Sequence, residues 1–295
     1  MFETIRGGVA VAAGLLCVAV VSASVPRAGA AQLRQVTDRI FPFEPAGELR
    51  VESQNGRVTV EAWDKSEVRV QITREVRAGD EKQASELMKK LSADVEVGSR
   101  RIAIKSVYPK REESVGIWDV LGQRVGSVNI HYYIQVPRET RLVLKTSNGE
   151  LRVRGTRGDL TGITGNGSVD VTDVKGAVEV RTTNGEVNLA RLEGSAEAGT
   201  TNGAIAADIR GLAPGGVVKL WTTNGDVTVT LPSDLKATLE AVTTNGRIVV
   251  GFPVATDGVT SSKQVRGTIG GGGSPVSLRT TNGNVEVRKV GARRA

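Results

Sequence analysis

Two glutamates at the same position of successive sequence repeats are the residues that could carry out catalysis in this chain. Glu179 and Glu197 are 18 residues apart, and each lies between small apolar residues in an alternating strand pattern. If their strands are parallel neighbours, the carboxylates stand roughly 5 Å apart, which is the spacing of the acid and the nucleophile in a retaining glycosidase. The pair therefore defines one hypothesis, a polysaccharide-cleaving enzyme.

Three further residues at equivalent repeat positions favour other uses of the same surface. Lys219 takes the glutamate position in the next repeat, and Arg181 and Trp221 each lie two residues further along their strands. The cations can neutralise two stacked glutamates, as cross-strand pairs do. An outward Trp221 can stack on a sugar ring or anchor a protein partner. We favour a solvated, charge-balanced face first, recognition of a carbohydrate or partner second, and catalysis last.

The repeat that must position these residues begins with Thr-Thr-Asn-Gly or a close variant and occurs seven times from residue 146 onward. Five of the intervals are 18 to 22 residues long and the last is 37. A period near 20 residues indicates stacked units that bury together the apolar faces that none buries alone. The first threonines are Thr146, Thr164, Thr182, Thr200, Thr222, Thr243 and Thr280, and the asparagines are Asn148, Asn166, Asn184, Asn202, Asn224, Asn245 and Asn282.

The spacing predicts an all-β fold, a parallel β-solenoid or β-helix of about seven coils with two short strands each. Counting in twos from Val178 places the first threonine and the asparagine inward, so each would bond its copy one coil away in a structural ladder. Asn-Gly between alternating strands is also a strong hairpin signal, so an antiparallel meander is the competing topology. The constant threonine at one inward site favours the parallel coils.

Residues 31–140 predict a different unit, an N-terminal β-rich cap on one end of the solenoid. One helix near residues 80–92 interrupts its strands, with Asp80 as the N-cap and an apolar stripe that must pack on a sheet. This region contains one further possible copy of the motif, at Asn55.

The solenoid repeat domain is predicted to span residues 141–290, and residues 291–295 form a basic tail. We expect Arg288 and Lys289, in the last coil of the sequence, to discourage pairing at an open sheet edge.

Residues 1–30 have the features of a secretory signal peptide. Arg6 precedes an apolar run over residues 9–21, and Ala28-Gly29-Ala30 is a suitable cleavage site. A retained membrane anchor is the alternative, but the run is short for a span. We therefore predict export to the periplasm or the cell surface.

The composition excludes several kinds of site. Cys17 is the only cysteine and lies in the predicted signal, and His131 is the only histidine. A thiolate or histidine metal cage is thus excluded, and we expect no metal and no cofactor. The net charge of +7 is mixed along the chain and only 3% of residues are aromatic, so no nucleic-acid partner is expected. The positive balance fits acidic envelope polymers or lipid head groups, and equally a solvated surface.

Several segments together carry a family resemblance. They are residues 49–52 with Gly56, residues 61–64, residues 133–137, the Thr-Thr-Asn-Gly copies and the glycine-rich residues 267–273. With these segments the chain resembles the bacterial "putative adhesin" family, repeat proteins of a domain of unknown function with predicted β-solenoid folds. The resemblance implies an exported, non-enzymatic envelope protein, and it supplies no catalytic residues.

Three functional hypotheses follow. The first is a non-catalytic exported β-solenoid that binds or organises surface components, with an envelope glycan or another envelope protein as its partner. The second is the polysaccharide-acting enzyme that uses Glu179 and Glu197. The third is a scaffold that self-associates through the edges of the solenoid.

Overall fold

The chain folds as a two-sheet parallel β-solenoid. The computed structural model describes residues 18–23, 31–109, 127–213, 215–256 and 261–290. Equivalent residues of successive coils lie opposite each other in parallel register, as Leu151, Val169 and Val187 do. The prediction of stacked parallel coils is confirmed, and the antiparallel meander is wrong.

The described residues form 23 strands and one helix. In chain order the elements are β1 (Val18–Ala23), β2 (Ala31–Pro42), β3 (Glu48–Glu52), β4 (Val58–Trp63), β5 (Glu67–Ala78), α1 (Glu81–Lys90), β6 (Ser92–Val97), β7 (Arg101–Val107), β8 (Val128–Pro137), β9 (Arg141–Asn148), β10 (Leu151–Arg154), β11 (Leu160–Asn166), β12 (Val169–Thr172), β13 (Val178–Arg181), β14 (Val187–Glu193), β15 (Ala196–Asn202), β16 (Ile205–Gly211), β17 (Val218–Asn224), β18 (Val227–Leu231), β19 (Ala237–Asn245), β20 (Ile248–Val250), β21 (Gln264–Ile269), β22 (Ser274–Asn282) and β23 (Val285–Lys289).

Each coil contributes one strand to each of two sheets. Sheet A has the order β1-β2-β5-β8-β4-β10-β12-β14-β16-β18-β23-β20, and sheet B has the order β21-β19-β22-β17-β15-β13-β11-β9-β3-β7-β6. The inward residues of both sheets form one hydrophobic core along the stack. In β13, for example, Val178 and Val180 are buried while Glu179 and Arg181 are exposed. Period-two alternation therefore divides every strand between the core and an outer face.

The stack of coils begins upstream of residue 141, in the segment predicted as part of the cap. Strand β3 pairs in parallel with β9, and β4 pairs in parallel with β10. The turn between β3 and β4 carries Asn55 and Gly56, and the Gly56 N–H donates to the Asn148 carbonyl. The possible motif copy at Asn55 is thus a full coil.

The asparagines form a ladder on the outside of the corner between the sheets. Seven amide nitrogens donate to the side-chain oxygen of the neighbouring asparagine over 2.7–2.8 Å, as Asn202 does to Asn184. Their predicted inward orientation is wrong, because the strand alternation ends at the corner: Thr201 and Asn202 are both exposed. In stacking order the ladder is Asn55, Asn148, Asn166, Asn184, Asn202, Asn224, Asn282 and Asn245.

The first threonine of each motif is buried, but the threonines do not bond one another. The Thr182 hydroxyl donates to the Gly167 carbonyl of the preceding coil over 3.0 Å, and Thr200 donates to Gly185 over the same distance. The same bond recurs at Thr164, Thr222, Thr243 and Thr280. Six of the seven buried hydroxyls are therefore satisfied by a corner glycine, whose carbonyl faces the next coil, and Thr146 donates instead to the Gln54 carbonyl over 3.5 Å.

The coils do not stack in the order of the sequence. The last coil, β22 and β23, lies between the coil of β17 and β18 and the coil of β19 and β20. Strand β21 runs antiparallel along the outer edge of β19, and a turn with positive φ at residues 270–273 leads into β22. The expected role of Arg288 and Lys289 at an open edge is wrong, because β23 has a partner on both sides.

The N-terminal end of the stack is covered by strands that continue both sheets. Strands β8, β5 and β2 extend sheet A, β7 and β6 extend sheet B, and α1 packs on β2 and β5. The Gln83 N–H donates to the Asp80 carboxylate over 2.8 Å at the start of the helix, and Ala84 and Leu87 are buried. The predicted strand-rich fold with one short helix is confirmed, but β3 and β4, which lie within the predicted cap, belong to the stack of coils.

Strand β1 pairs antiparallel with β2, with Val20 opposite Val36. Because β1 lies within the predicted signal peptide, cleavage after Ala30 would remove it and leave that edge of β2 open. The rest of the predicted signal, residues 1–17 and 24–30, and the predicted tail, residues 291–295, lie outside the described residues.

Replacing a corner glycine should weaken the whole stack. A Cβ on Gly225 would lie 2.1 Å from the Gly203 carbonyl oxygen, and φ at Gly225 is +150°. We expect Gly225→Ala to lower the free energy of unfolding by roughly 2–4 kcal/mol, since both the contact and the backbone conformation are unfavourable. Urea unfolding followed by circular dichroism measures this change. The control is Gly79→Ala, whose Cβ meets no atom closer than 3.5 Å; equal losses in both variants would contradict the prediction.

Candidate ligand-binding face

The outer face of sheet B brings the predicted site residues together. Strands β13, β15 and β17 are consecutive in the sheet, so Glu179, Glu197 and Lys219 stand side by side in one column. Two residues further along, Arg181, Gly199 and Trp221 form the adjacent column. The parallel register thus converts equivalent positions in three repeats into one continuous surface.

The Trp221 ring lies over Gly199. A Cβ built on Gly199 would stand only 2.3 Å from the Cε2 and Cζ2 atoms of the ring. The ring therefore occupies the space that a side chain takes at the same position in other coils. Gly199 is buried beneath it and Trp221 is half-buried, so the indole is fixed against the sheet and keeps a part of its surface in solvent.

Two cations lie beside this ring. The Lys219 ammonium is 5.0 Å and the Arg181 guanidinium 5.7 Å from the ring centroid. Both distances are within the range in which an aromatic ring attracts a cation. The cations and the indole together form a surface that combines stacking with positive charge.

The same cations bind both glutamates. Arg181 Nη2 is 3.0 Å from Glu179 Oε1 and 3.1 Å from Glu197 Oε1, and Lys219 Nζ is 3.4 Å from the same oxygen of Glu197. The side chains of Glu179 and Glu197 are 47% and 35% exposed. One oxygen of each carboxylate is therefore held by cations on an open surface.

Arg279 completes the column beside Trp221, and the sequence order did not indicate it. It lies opposite Trp221 on β22, whereas simple stacking in sequence order would have placed Val242 there. Arg279 is exposed and forms no ion pair or hydrogen bond with another described residue. The signals of the altered order were the 37-residue interval and its glycine-rich end. We call Arg181, Gly199, Lys219, Trp221 and Arg279 the Trp221 patch.

The outer face of sheet A has a shallow groove where small alanines follow longer polar side chains. It is lined by Glu150, Asp170 and Asn188 together with Ala204 and Ala206. Burial raises the pKa of Asp170, and its hydrogen bond with the Glu150 carboxyl raises it further. Burial would also raise the pKa of Glu150, but the ion pairs with Arg152 and Arg57 outweigh it and lower the pKa. The groove thus contains an acidic pair with its own cations.

His131 lies on the outer face of strand β8 and serves as a hydrogen-bond acceptor. Its Nδ1 accepts from the Arg57 N–H over 3.0 Å, which requires the neutral ring with the proton on Nε2. Burial lowers the pKa of His131 from 6.5, and Arg57 and Arg34 lower it further, while Glu75 acts in the opposite direction. The geometry is that of a structural histidine.

The described ranges contain neither a candidate metal cluster nor a membrane-spanning helix. In this part of the chain no three histidine, cysteine or acidic side chains are grouped so that they could hold a metal ion. The same residues contain no helix that is long and apolar enough to cross a membrane.

The sequence pattern of the Toastrack DUF4097 family matches residues 46–288. The chain therefore belongs to the Toastrack DUF4097 family, and the family resemblance inferred from the sequence is confirmed. The match begins just before β3 and ends within β23, so it covers every coil of the solenoid. No curated protein matches the chain.

Three solved structures are similar to the chain at low sequence identity. A putative cell adhesion protein from Clostridium sporogenes has 13% identity and a TM-score of 0.37, over 86% of this chain and 99% of that one. A putative adhesin from Bacteroides fragilis has 11% identity and a TM-score of 0.38, over 86% and 97%. A putative adhesin from Parabacteroides distasonis has 13% identity and a TM-score of 0.37, over 85% and 96%.

The neutral His131 should make the stability of the fold depend on pH. Because the pKa of His131 is lowered by folding, the unfolded chain binds a proton more readily, and acid favours unfolding. The contribution is present above the unfolded value of 6.5 and is lost as the pH falls below it. We expect His131→Gln to reduce the decrease in melting temperature between about pH 7.5 and about pH 5.5. An identical decrease in the variant and the wild type would show that His131 does not contribute.

Proposed function

We propose that the chain is an exported, non-catalytic binding protein of the cell envelope whose Trp221 patch recognises an acidic polysaccharide. The observation that carries this proposal is the indole fixed on Gly199, with the Lys219 ammonium 5.0 Å from its centroid. Beside it lies Arg279, whose side chain pairs with no other described residue. Export rests on the signal-like residues 1–30 with their cleavage site.

The charge of the patch favours an acidic ligand. It has three cations, Arg181, Lys219 and Arg279, and only two neighbouring carboxylates, Glu179 and Glu197, which pair with Arg181 and Lys219. Arg279 is exposed and has no carboxylate partner among the described residues. A guanidinium on an open surface can bind a ligand carboxylate with two parallel hydrogen bonds. The neighbouring indole supplies the apolar face on which a sugar ring stacks.

The shape of the patch favours a polymer over a small molecule. The patch extends over β13, β15, β17 and β22, four neighbouring strands that span roughly 14 Å at the usual strand spacing. Small ligands are usually enclosed in clefts, whereas this surface is the open outer face of a sheet. An extended chain lying across the strands could contact Trp221 with one sugar and Arg279 with the next.

The arrangement gives less support to a glycosidase. Glu179 and Glu197 share one guanidinium nitrogen of Arg181, and Lys219 binds Glu197 as well. A glycosidase needs one carboxyl that is protonated and one that is free to attack, and it surrounds the scissile bond with a cleft. Here the two carboxylates have the same partner on the same open face. Glycan cleavage that is lost in Glu179→Gln would nevertheless overturn the non-catalytic proposal.

The ends of the solenoid give less support to a self-assembling scaffold. At the N-terminal end β8 and β7 cover the first coil, and at the other end β21 pairs antiparallel with β19. Neither arrangement presents a complete coil to a second copy of the chain. A sedimentation coefficient that increases with protein concentration would favour the scaffold.

Binding of a uronic acid polymer should depend on the Trp221 patch. We expect the chain from residue 31 to be retained on immobilised polygalacturonate at low salt, and Trp221→Ala and Arg279→Gln each to weaken retention about tenfold, because one stacked ring or one charge-assisted pair is lost. Biolayer interferometry measures the affinities, with neutral dextran as the ligand control.

The matched control variant is Arg266→Gln. Arg266 lies on the outer face of the same sheet, but its guanidinium is already paired with Glu240 and it is not part of the Trp221 patch. Equal weakening by Arg266→Gln and Arg279→Gln would indicate attraction to general positive charge. Unchanged binding in Trp221→Ala would remove the patch from the proposal.

A further inference from the structure

Eight Asn-Gly pairs lie at the corner of the solenoid, and this dipeptide is chemically labile. In a flexible chain the backbone nitrogen of the glycine attacks the side-chain amide carbon of the asparagine, because glycine has no Cβ to hinder the approach. Asparagine is accordingly counted among the thermolabile residues. The stacking of the coils changes the reactivity of these pairs, and it does so unequally.

Seven of the eight pairs have their nucleophile held in a hydrogen bond. The glycine N–H of each coil donates to the asparagine carbonyl of the next coil over 2.9–3.0 Å, as Gly203 does to Asn224 and Gly225 does to Asn282. A nitrogen whose proton is fixed in this way cannot turn toward its own asparagine side chain. The seven glycines are Gly56, Gly149, Gly167, Gly185, Gly203, Gly225 and Gly283.

The eighth pair, Asn245 and Gly246, is at the outer end of the ladder and has no coil beyond it. No described residue accepts a hydrogen bond from the Gly246 N–H. Strand β21 lies outside β19, but its pairing ends with Val242 opposite Gln264, and the following bond joins the Thr243 N–H to the Lys263 carbonyl. The next bond along this segment joins the Ile248 N–H to the Ser262 carbonyl on the far side of the corner, so the segment crosses the corner without a bond to the Gly246 N–H.

The Asn245 side chain is also held less firmly than those within the ladder. Its amide nitrogen donates to Asn282 over 2.8 Å, but its oxygen accepts from no described residue. Within the ladder both atoms are bonded, as in Asn224, which donates to Asn202 and accepts from Asn282. Both reacting groups at Asn245 thus lack the partner that stacking supplies elsewhere.

We propose that Asn245 is a site of spontaneous deamidation and that stacking protects the other seven asparagines. The Gly246 nitrogen forms a bond to Cγ of Asn245 and gives its proton to solvent, and the side-chain nitrogen leaves as ammonia. Water then opens the cyclic imide, which yields aspartate or isoaspartate at position 245. No oxidant, reductant or cofactor takes part.

The product changes the end of the ladder. A carboxylate at position 245 cannot donate to the Asn282 side-chain oxygen, so the bond of 2.8 Å is replaced by repulsion between two acceptors. The isoaspartate product also lengthens the backbone at the corner. The outermost coil should therefore loosen while the coils beneath it remain stacked.

Peptide mapping tests the proposal within one molecule, because complete tryptic cleavage places the eight pairs in eight separate peptides. The purified folded chain is incubated at mildly alkaline pH, digested, and the deamidated fraction of each peptide is measured by mass spectrometry. We expect the peptide of residues 237–247, which contains Asn245, to convert at least tenfold faster than the peptides with Asn184, Asn202 and Asn224. The same chain unfolded in denaturant should lose this preference and convert at all eight pairs.

Asn55 is the decisive internal control. It is at the other end of the ladder and its amide nitrogen donates to no described residue, yet the Gly56 N–H is held by Asn148. Protection by the glycine hydrogen bond predicts slow conversion of the peptide of residues 51–57. Conversion of Asn55 as fast as Asn245, or of the interior pairs as fast as Asn245, would overturn the proposal.

Discussion

The close approach of consecutive coils at the Asn-Gly corner is the constraint on which the rest of the structure depends. A Cβ on almost any corner glycine would enter the carbonyl group of the next corner, as Gly225 would with Gly203. Glycine is therefore required at that position, and the backbone of one coil rests directly on the next. That contact sets the register in which the asparagine amides bond one another and the buried threonine hydroxyls reach the corner carbonyls. The parallel strands of both sheets follow from the same register.

Because the corner and the core satisfy this constraint, the outer faces of the sheets are free to vary. At inward positions the residues of successive coils are alike. On the outer face of sheet B, neighbouring coils place Arg181, Gly199 and Trp221 in one column. The small Gly199 gives the indole a place to lie, and a larger side chain at that position would displace it. The candidate binding surface therefore lies on an outer face, where equivalent residues differ from coil to coil.

The two ends of the stack differ in how the backbone of the outermost coil is covered. At the N-terminal end β8 joins the first coil, and the Ile130 N–H bonds the Asn55 carbonyl, so the backbone of the first corner is partnered. At the other end, β21 covers only part of the edge of β19. The insertion of β22 and β23 beneath the coil of β19 and β20 keeps the C-terminal strand inside the sheet, where it is paired on both sides. The outer edges of the two sheets at this end are therefore β20 and β21, whereas β22 and β23, the last two strands in the sequence, lie inside the stack.

The sequence by itself determined the fold class, the approximate length of the coils and the division of each strand into buried and exposed residues, because these depend on local periodicity and on glycine at a fixed place. It also brought Glu179, Glu197 and Lys219 into one column, since their repeats are consecutive in sequence and in space. Counting in twos along the strand wrongly placed the asparagines inward, because period-two alternation holds only within a strand and the motif lies at a corner. Only the tertiary structure decided that Arg279 adjoins Trp221 and that Asn245 ends the ladder. The order of the coils depends on which sheet edge each strand joins. Because the coils resemble one another, the edges that they offer are nearly alike, and a local sequence pattern does not distinguish them.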